Sequence, residues 1–169
     1  MKRFDMNHCD MKHHVVLTGV TGFVGKVVLW QLLERRIELG IQKVSVLVRS
    51  KASRSGSTQS PAERFASTVE GSEIFRQLPE GWRTFVNVVG ADLEQPGLAM
   101  AESDRRALEA SATTILHCAA SVEFDLPVKS ALGANVEAAL HMLELARGCS
   151  RLIAMVSVST AYVSVWRNG

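Results

Sequence analysis

Two sets of residues in this chain have types and spacings that suit chemistry. The first is "STAY" (159–162), where Ser159 and Thr160 close an apolar run and the sole tyrosine, Tyr162, follows. The run, 153–158, reads as a buried strand. Hydroxyls at the C-terminal edge of a strand look like half of an active site. They are equally the residues that satisfy backbone groups at a strand end. The second set is "TGVTGFVG", in which Gly19, Gly22 and Gly25 stand three residues apart between a strand and a helix. Gly19 permits a tight turn. Gly22 lets backbone approach a pyrophosphate without an intervening side chain. Gly25 allows the helix to pack closely, and phosphates then sit at the positive end of that helix. This strand–turn–helix context points to dinucleotide binding rather than to a structural turn alone.

The end of the next strand bears on which dinucleotide. NAD recognition uses an acid there to take the ribose hydroxyls. This chain has "LVRSKASRS", with Arg49, Lys51 and Arg54 and no acid before Glu63. A carboxylate would repel a 2′-phosphate, whereas a guanidinium fork grips one. The same basic loop read plainly is a solvated surface. The missing acid favours NADP over NAD.

The elements that must position these residues alternate. Strands are expected at 15–17, 43–48, 83–89, 113–120 and 151–159. Helices are expected at 23–39, ending at Gly40, from Pro61 through Phe65 and Val69, at 72–78, at 103–111 and at 128–147. The last should present Val128, Leu132, Val136, Leu140 and Leu143 on one face. Segment 53–60 reads as a serine-rich loop and 91–97 as a turn. Continuous apolar strands alternating with helices imply an α/β fold, a doubly wound parallel sheet of Rossmann type.

The chain has 169 residues, 47% hydrophobic and 21% charged, which suits a single globular domain. Residues 1–12 read as an N-terminal extension and 13–169 as the nucleotide-binding domain. A net charge of +2 gives no sign of a nucleic-acid partner. Cys9, Cys118 and Cys149 are widely spaced and read as reduced thiols in a cytoplasmic protein. His13, His14 and His117 have no cysteine or carboxylate at ligand spacing, so a metal site is not expected. No apolar run has the length of a membrane span, and the first ten residues do not form a secretory signal. Oligomeric state is left open by these features.

Five ordered blocks together resemble the N-terminal part of the fatty acyl-CoA reductases, extended short-chain dehydrogenase/reductases of the male-sterility type. They are "LTGVTGFVGKVVLWQLLER" (17–35), "KVSVLVRSK…AERF" (43–65), "ADLEQPGL" (91–98), "ILHCAASVEFDLPVKSALGANVEAALHMLELA" (115–146) and "VSVSTAYV" (156–163). The resemblance implies that Thr21, Gly22, Phe23 and Val24 hold the pyrophosphate. It implies that Arg49 and Arg64, beside Lys51, meet the 2′-phosphate, and that Asp92 and Leu93 flank the adenine. Ala119 and Ala120 would bring the fourth strand's end to the cofactor's ribose. Asn135 matches a family asparagine and reads equally as a helix-packing amide. The family's Gly-Asp is Ala91-Asp92 here, and its Leu-Gly-Leu is Leu98-Ala99-Met100.

The function so implied is NADPH-dependent reduction of a fatty acyl-CoA thioester to aldehyde or primary alcohol. Thr160, or else Ser159, would hydrogen-bond the substrate carbonyl. The family's acid is a Tyr-x-x-x-Lys on the next helix, but Tyr162 is followed four residues on by Trp166. The motif is absent from the chain. The chain therefore reads as the cofactor-binding front part of a reductase, truncated after the fifth strand and inactive alone. Two alternatives are a carboxylic-acid or peptidyl-thioester reductase domain and a non-catalytic NADP-binding remnant. An unfinished sheet would also leave an open strand edge and poor solubility.

Overall fold

A computed structural model of the chain describes residues 12–52, 56–123 and 125–159. Its centre is a five-stranded parallel sheet in the order β5-β2-β1-β6-β7. The strands are β1 (His13–Thr18), β2 (Ile41–Val48), β5 (Val86–Gly90), β6 (Thr114–His117) and β7 (Ala154–Ser157). A small hairpin of β3 (Lys51–Ala52) and β4 (Thr58–Gln59) flanks the serine-rich loop, which the sequence pattern did not anticipate. Strand order reverses between β1 and β6, and such a switch point opens a crevice at the strands' C-terminal ends.

β1 and β2 are covered on both faces, which is why they read as unbroken apolar runs. Val15, Leu17, Val44, Val46 and Val48 pack on one side with Leu29 and Leu33 of α1 (Phe23–Glu34) and Phe65 of α2 (Pro61–Phe65). Val16, Leu47 and Val89 pack on the other with Leu108 of α3 (Glu102–Ser111) and with Met142 and Leu145.

Several boundaries move for physical reasons. α1 stops at Glu34, and a run of turns carries the chain to Gly40, whose φ of 62° lets it swing into β2. A 3₁₀ turn, Trp82–Phe85, delays β5. β6 ends at His117 because the next two amides leave the ladder for the Thr18 hydroxyl.

The helix expected at 128–147 is present, and one expectation about the core is corrected. The helix at 128–148 runs as α4 (Val128–Leu132), a π-turn (Gly133–Glu137) and α5 (Ala138–Gly148). Its buried residues are Gly133, Ala138, Met142, Leu145 and Ala146, while Val128, Leu132, Val136, Leu140 and Leu143 face outward. The helix is apolar on two faces, and the one carrying Ala138, Met142 and Leu145 is the one that is buried. The run 153–158 is not buried either: Ile153, Val156 and Val158 are 57%, 52% and 48% exposed. β7 is an edge strand, paired among the described residues with β6 alone.

Candidate functional site

The turn after β1 is built on Thr18. Its Oγ1 accepts the amides of Cys118 and Ala119, both at 3.1 Å, and lies 2.8 Å from Nδ1 of His117. Both oxygen lone pairs are taken by amides, so the hydroxyl proton goes to His117 Nδ1. His117 therefore carries its own proton on Nε2, and burial pushes its pKa down. This hub holds the end of β6 against the glycine turn.

The contact explains two of the glycines. A Cβ on Gly19, whose φ is 73°, would lie 2.7 Å from Ala119 N and from Cys118 O. A Cβ on Gly25 would lie 2.2 Å from the Gly19 carbonyl oxygen, so this residue sets how closely α1 meets the turn. Gly22 is different. Its nearest neighbour to an added Cβ is Gly19 O at 3.3 Å, and the residue lines an open cleft at the switch point.

That cleft has a volume of about 340 Å³. Its walls include Gly19, Thr21 and Gly22 from the turn, Arg49 after β2, and Arg64 on α2. Asp92, Leu93 and Glu94 after β5 and Ala119, Ala120 and Ser121 after β6 also line it. Thus Gly19, Thr21, Gly22, Arg49, Arg64, Asp92, Leu93, Ala119 and Ala120 are brought together as expected.

Other expected residues stand apart. Phe23 and Val24 are 84% and 47% exposed on the first turn of α1 and do not line the cleft. Gly25 is buried behind the turn. Lys51 is exposed on β3, outside the cleft wall. Asn135 holds Ser121 at two points: its Oδ1 accepts the Ser121 amide at 2.8 Å and its Nδ2 donates to the Ser121 carbonyl at 3.2 Å. It fixes the loop after β6 rather than lining the cleft. Ser159 is exposed just beyond β7, while Thr160 and Tyr162 lie outside the described residues.

The two arginines are held differently. Ser60 and Glu63 form a capping box at the start of α2, which engages the first acid after β2. The next residue, Arg64, donates from Nη1 to the Arg49 carbonyl at 2.8 Å and from Nη2 to Thr21 Oγ1 at 3.3 Å. Burial, and then the nearby Arg49 charge, push the Arg64 pKa down. Two cations sharing one cleft suit an anion. Arg49 donates from Nη1 to Glu94 Oε1 at 2.8 Å and lies 3.7 Å from Asp92 Oδ1.

The loop from β5 is anchored from three sides. Ala91 continues the sheet through its amide to the Val48 carbonyl at 3.1 Å. Asp92 N–H donates to Leu98 O at 2.7 Å, and Nδ1 of His141 on α5 donates to Leu93 O at 2.8 Å. Ala91, in place of the family pattern's glycine, does not require a positive φ. Ala99, in place of the second glycine, does, at 41°.

Residues 17–169 match the family model described as male sterility protein. The chain belongs to that family. Within it the chain is similar to fatty acyl-CoA reductase 1 of Homo sapiens, at 36% identity over 151 residues. That alignment takes in 88% of this chain and 28% of the relative, so the chain spans under a third of the curated relatives it matches. Among solved structures it is similar to the terminal R domain of the myxalamid PKS-NRPS pathway, with TM-score 0.68 and 29% identity over 88% of this chain and 34% of that one. The reductase domain of a Mycobacterium tuberculosis non-ribosomal peptide synthetase gives TM-score 0.68 and 27% identity, covering 89% of this chain and 34% of that one. The family is one of nicotinamide-dinucleotide-binding Rossmann domains, and the glycine turn, the switch-point cleft and the paired arginines fit such a cofactor.

Thr18, Glu94, Ser121 and His141 went unsuspected in the sequence. Thr18 carries a weak signal, a hydroxyl directly before the first glycine. Glu94 carries one too, an acid two residues past Asp92 in the same turn. His141 and Ser121 carry none: the His141 ring meets the Leu93 carbonyl, and it is the backbone of Ser121, not its side chain, that the Asn135 amide holds.

Proposed function

We propose that this chain is the NADPH-holding part of a reductase that converts a fatty acyl-CoA thioester to the aldehyde or onward to the alcohol. The observation that carries the reading is the pair Arg49 and Arg64 on the wall of a cleft that the glycine turn also lines. When bound, the cofactor supplies a hydride to the thioester carbonyl carbon, and loss of the coenzyme A thiolate leaves the aldehyde.

The chain's own residues have distinct tasks in this proposal. The turn at Thr21 and the first turn of α1 offer backbone amides to the pyrophosphate at that helix's positive end, while the Gly22 amide closes the turn on the Gly19 carbonyl at 2.9 Å. Arg64, fixed by Thr21 and the Arg49 carbonyl, and Arg49 meet the 2′-phosphate. Asp92 and Leu93 border the adenine, and Ala119 and Ala120 leave room for the ribose. Asn135 acts as a positioning residue through Ser121. Thr160, or else Ser159, orients the substrate carbonyl. The general acid is not supplied here, since Tyr162 lacks a lysine four residues on.

A second reading is reduction of a carrier-bound peptidyl thioester, supported by the likeness to the two R domains. It uses the same cleft and differs in what delivers the thioester.

The test is to mix the chain with NADPH and a long-chain acyl-CoA, following nicotinamide fluorescence and absorbance together. Fluorescence should change on NADPH binding, with no oxidation of the cofactor. Oxidation would overturn the assignment of the chain as a cofactor-holding part alone. Absence of binding would overturn the whole reading.

A further inference from the structure

Arg49 and Arg64 face the same cleft but are not equally free. Both terminal nitrogens of Arg64 are engaged by neutral groups, the Arg49 carbonyl and the Thr21 hydroxyl. These contacts fix its position without cancelling its charge. Arg49 is held by carboxylates instead: Glu94 at 2.8 Å, with Asp92 further off at 3.7 Å. The Asp92 carboxylate has a second task, accepting the Glu94 amide at 3.2 Å. The Glu94 side chain, on the loop after β5, meets Arg49 on the loop after the neighbouring β2.

A phosphate monoester and a carboxylate compete for the same donors of a guanidinium. With Glu94 on Arg49, an arriving 2′-phosphate meets a negative charge beside the cation it needs. The carboxylate must swing away, or stay at a repulsive distance. A 2′-hydroxyl meets no such conflict, because it can donate to a carboxylate, as in NAD recognition. The pair is partly exposed, Arg49 at 52% and Glu94 at 38% of the side chain, so breaking it is a small cost rather than a block.

Resting on the NADPH reading above, we propose that Glu94 is a specificity-setting residue. Its carboxylate acts as an internal competitor of the 2′-phosphate for Arg49 and narrows the preference for NADPH over NADH.

The probes are 2′-AMP and 5′-AMP, followed by NADPH and NADH, titrated into the wild-type chain, Glu94→Gln and Glu94→Ala. Both neutral variants should bind 2′-AMP and NADPH about two- to fivefold more tightly, the range expected for one exposed ion pair. Neither should bind 5′-AMP or NADH more tightly. In an Arg49→Ala background the gain should vanish, because the competition runs through that guanidinium. Unchanged 2′-AMP affinity in both variants would overturn the proposal while NADPH binding itself stood. So would a gain of equal size without Arg49. If the wild-type chain bound neither 2′-AMP nor NADPH, the cofactor reading and this inference would fall together.

Discussion

The Thr18 hydroxyl and the His117 ring, 2.8 Å apart and both buried, tie the end of β1 to the end of β6. The same oxygen accepts the Cys118 and Ala119 amides, so one side chain completes three contacts at the point where the strand order reverses. Thr18→Val keeps the shape and removes the oxygen. It leaves two amides and a ring nitrogen without their partner, which should cost about 2–4 kcal/mol. Thr18→Ser should stay near wild type. Urea unfolding of the pair checks this, and equal stability of Thr18→Val would refute the hub.

His14 predicts a pH dependence. Its Nδ1 lies 2.9 Å from Ser111 Oγ and its Nε2 lies 2.8 Å from Ser45 Oγ. Burial first, and then the Lys43 charge, lower its pKa to about 4. The unfolded chain takes up the proton near the ordinary value of about 6.5, before the folded chain does. The stabilisation is therefore complete above about pH 6.5 and is lost as pH falls from there toward about 4. The loss should reach about 2 kcal/mol near pH 5. His117, also shifted down, adds loss of the same sign. Denaturant midpoints across this window should fall with pH, and His14→Gln should flatten the slope.

Glycine substitutions should separate folding from binding. Gly25→Ala puts a methyl 2.2 Å from the Gly19 carbonyl oxygen, and α1 must move away from the turn. It should lower stability by several kcal/mol, on the order of a severe overpacking. Gly22→Ala meets protein no closer than 3.3 Å, at a φ of −89° that alanine adopts. It should melt within about 1 kcal/mol of wild type yet lose about tenfold or more in NADPH affinity. Loss of both properties in Gly22→Ala would mean that the residue serves the fold.

The loop after β5 contains a correctable strain. Ala99 is exposed with φ 41°, and Leu98 is fully buried with φ 64°. Ala99→Gly relieves the backbone without losing buried surface and should stabilise by about 0.5–1 kcal/mol. Leu98→Ala keeps the strain and empties a core position, costing about 2–5 kcal/mol. Thermal melts of the two variants should move in opposite directions.

The β1–turn–α1 unit was legible in the sequence because each glycine answers a local demand that spacing alone reveals. The strand alternation was legible because central parallel strands are apolar on both faces. The helix at 128–148 was legible but its buried face was not, because Val128, Leu132, Val136, Leu140 and Leu143 repeat at the same spacing as the buried Ala138, Met142 and Leu145. Periodicity counts apolar faces and does not say which one meets the sheet. Phe23 and Val24 fell outside the cleft because family position, rather than geometry, had suggested them. Glu94 and His141 were missed because their roles come from contacts across 45 and 48 residues.

The central claim is that the switch-point cleft takes NADPH through Arg49 and Arg64. Its most direct test is a titration of the chain with NADPH and NADH, repeated with Arg64→Ala. The account predicts that NADPH binds about tenfold or more tightly than NADH, and that losing one charge-assisted contact with Arg64→Ala removes most of that margin. Equal affinity for the two cofactors, or a margin untouched by Arg64→Ala, would contradict it.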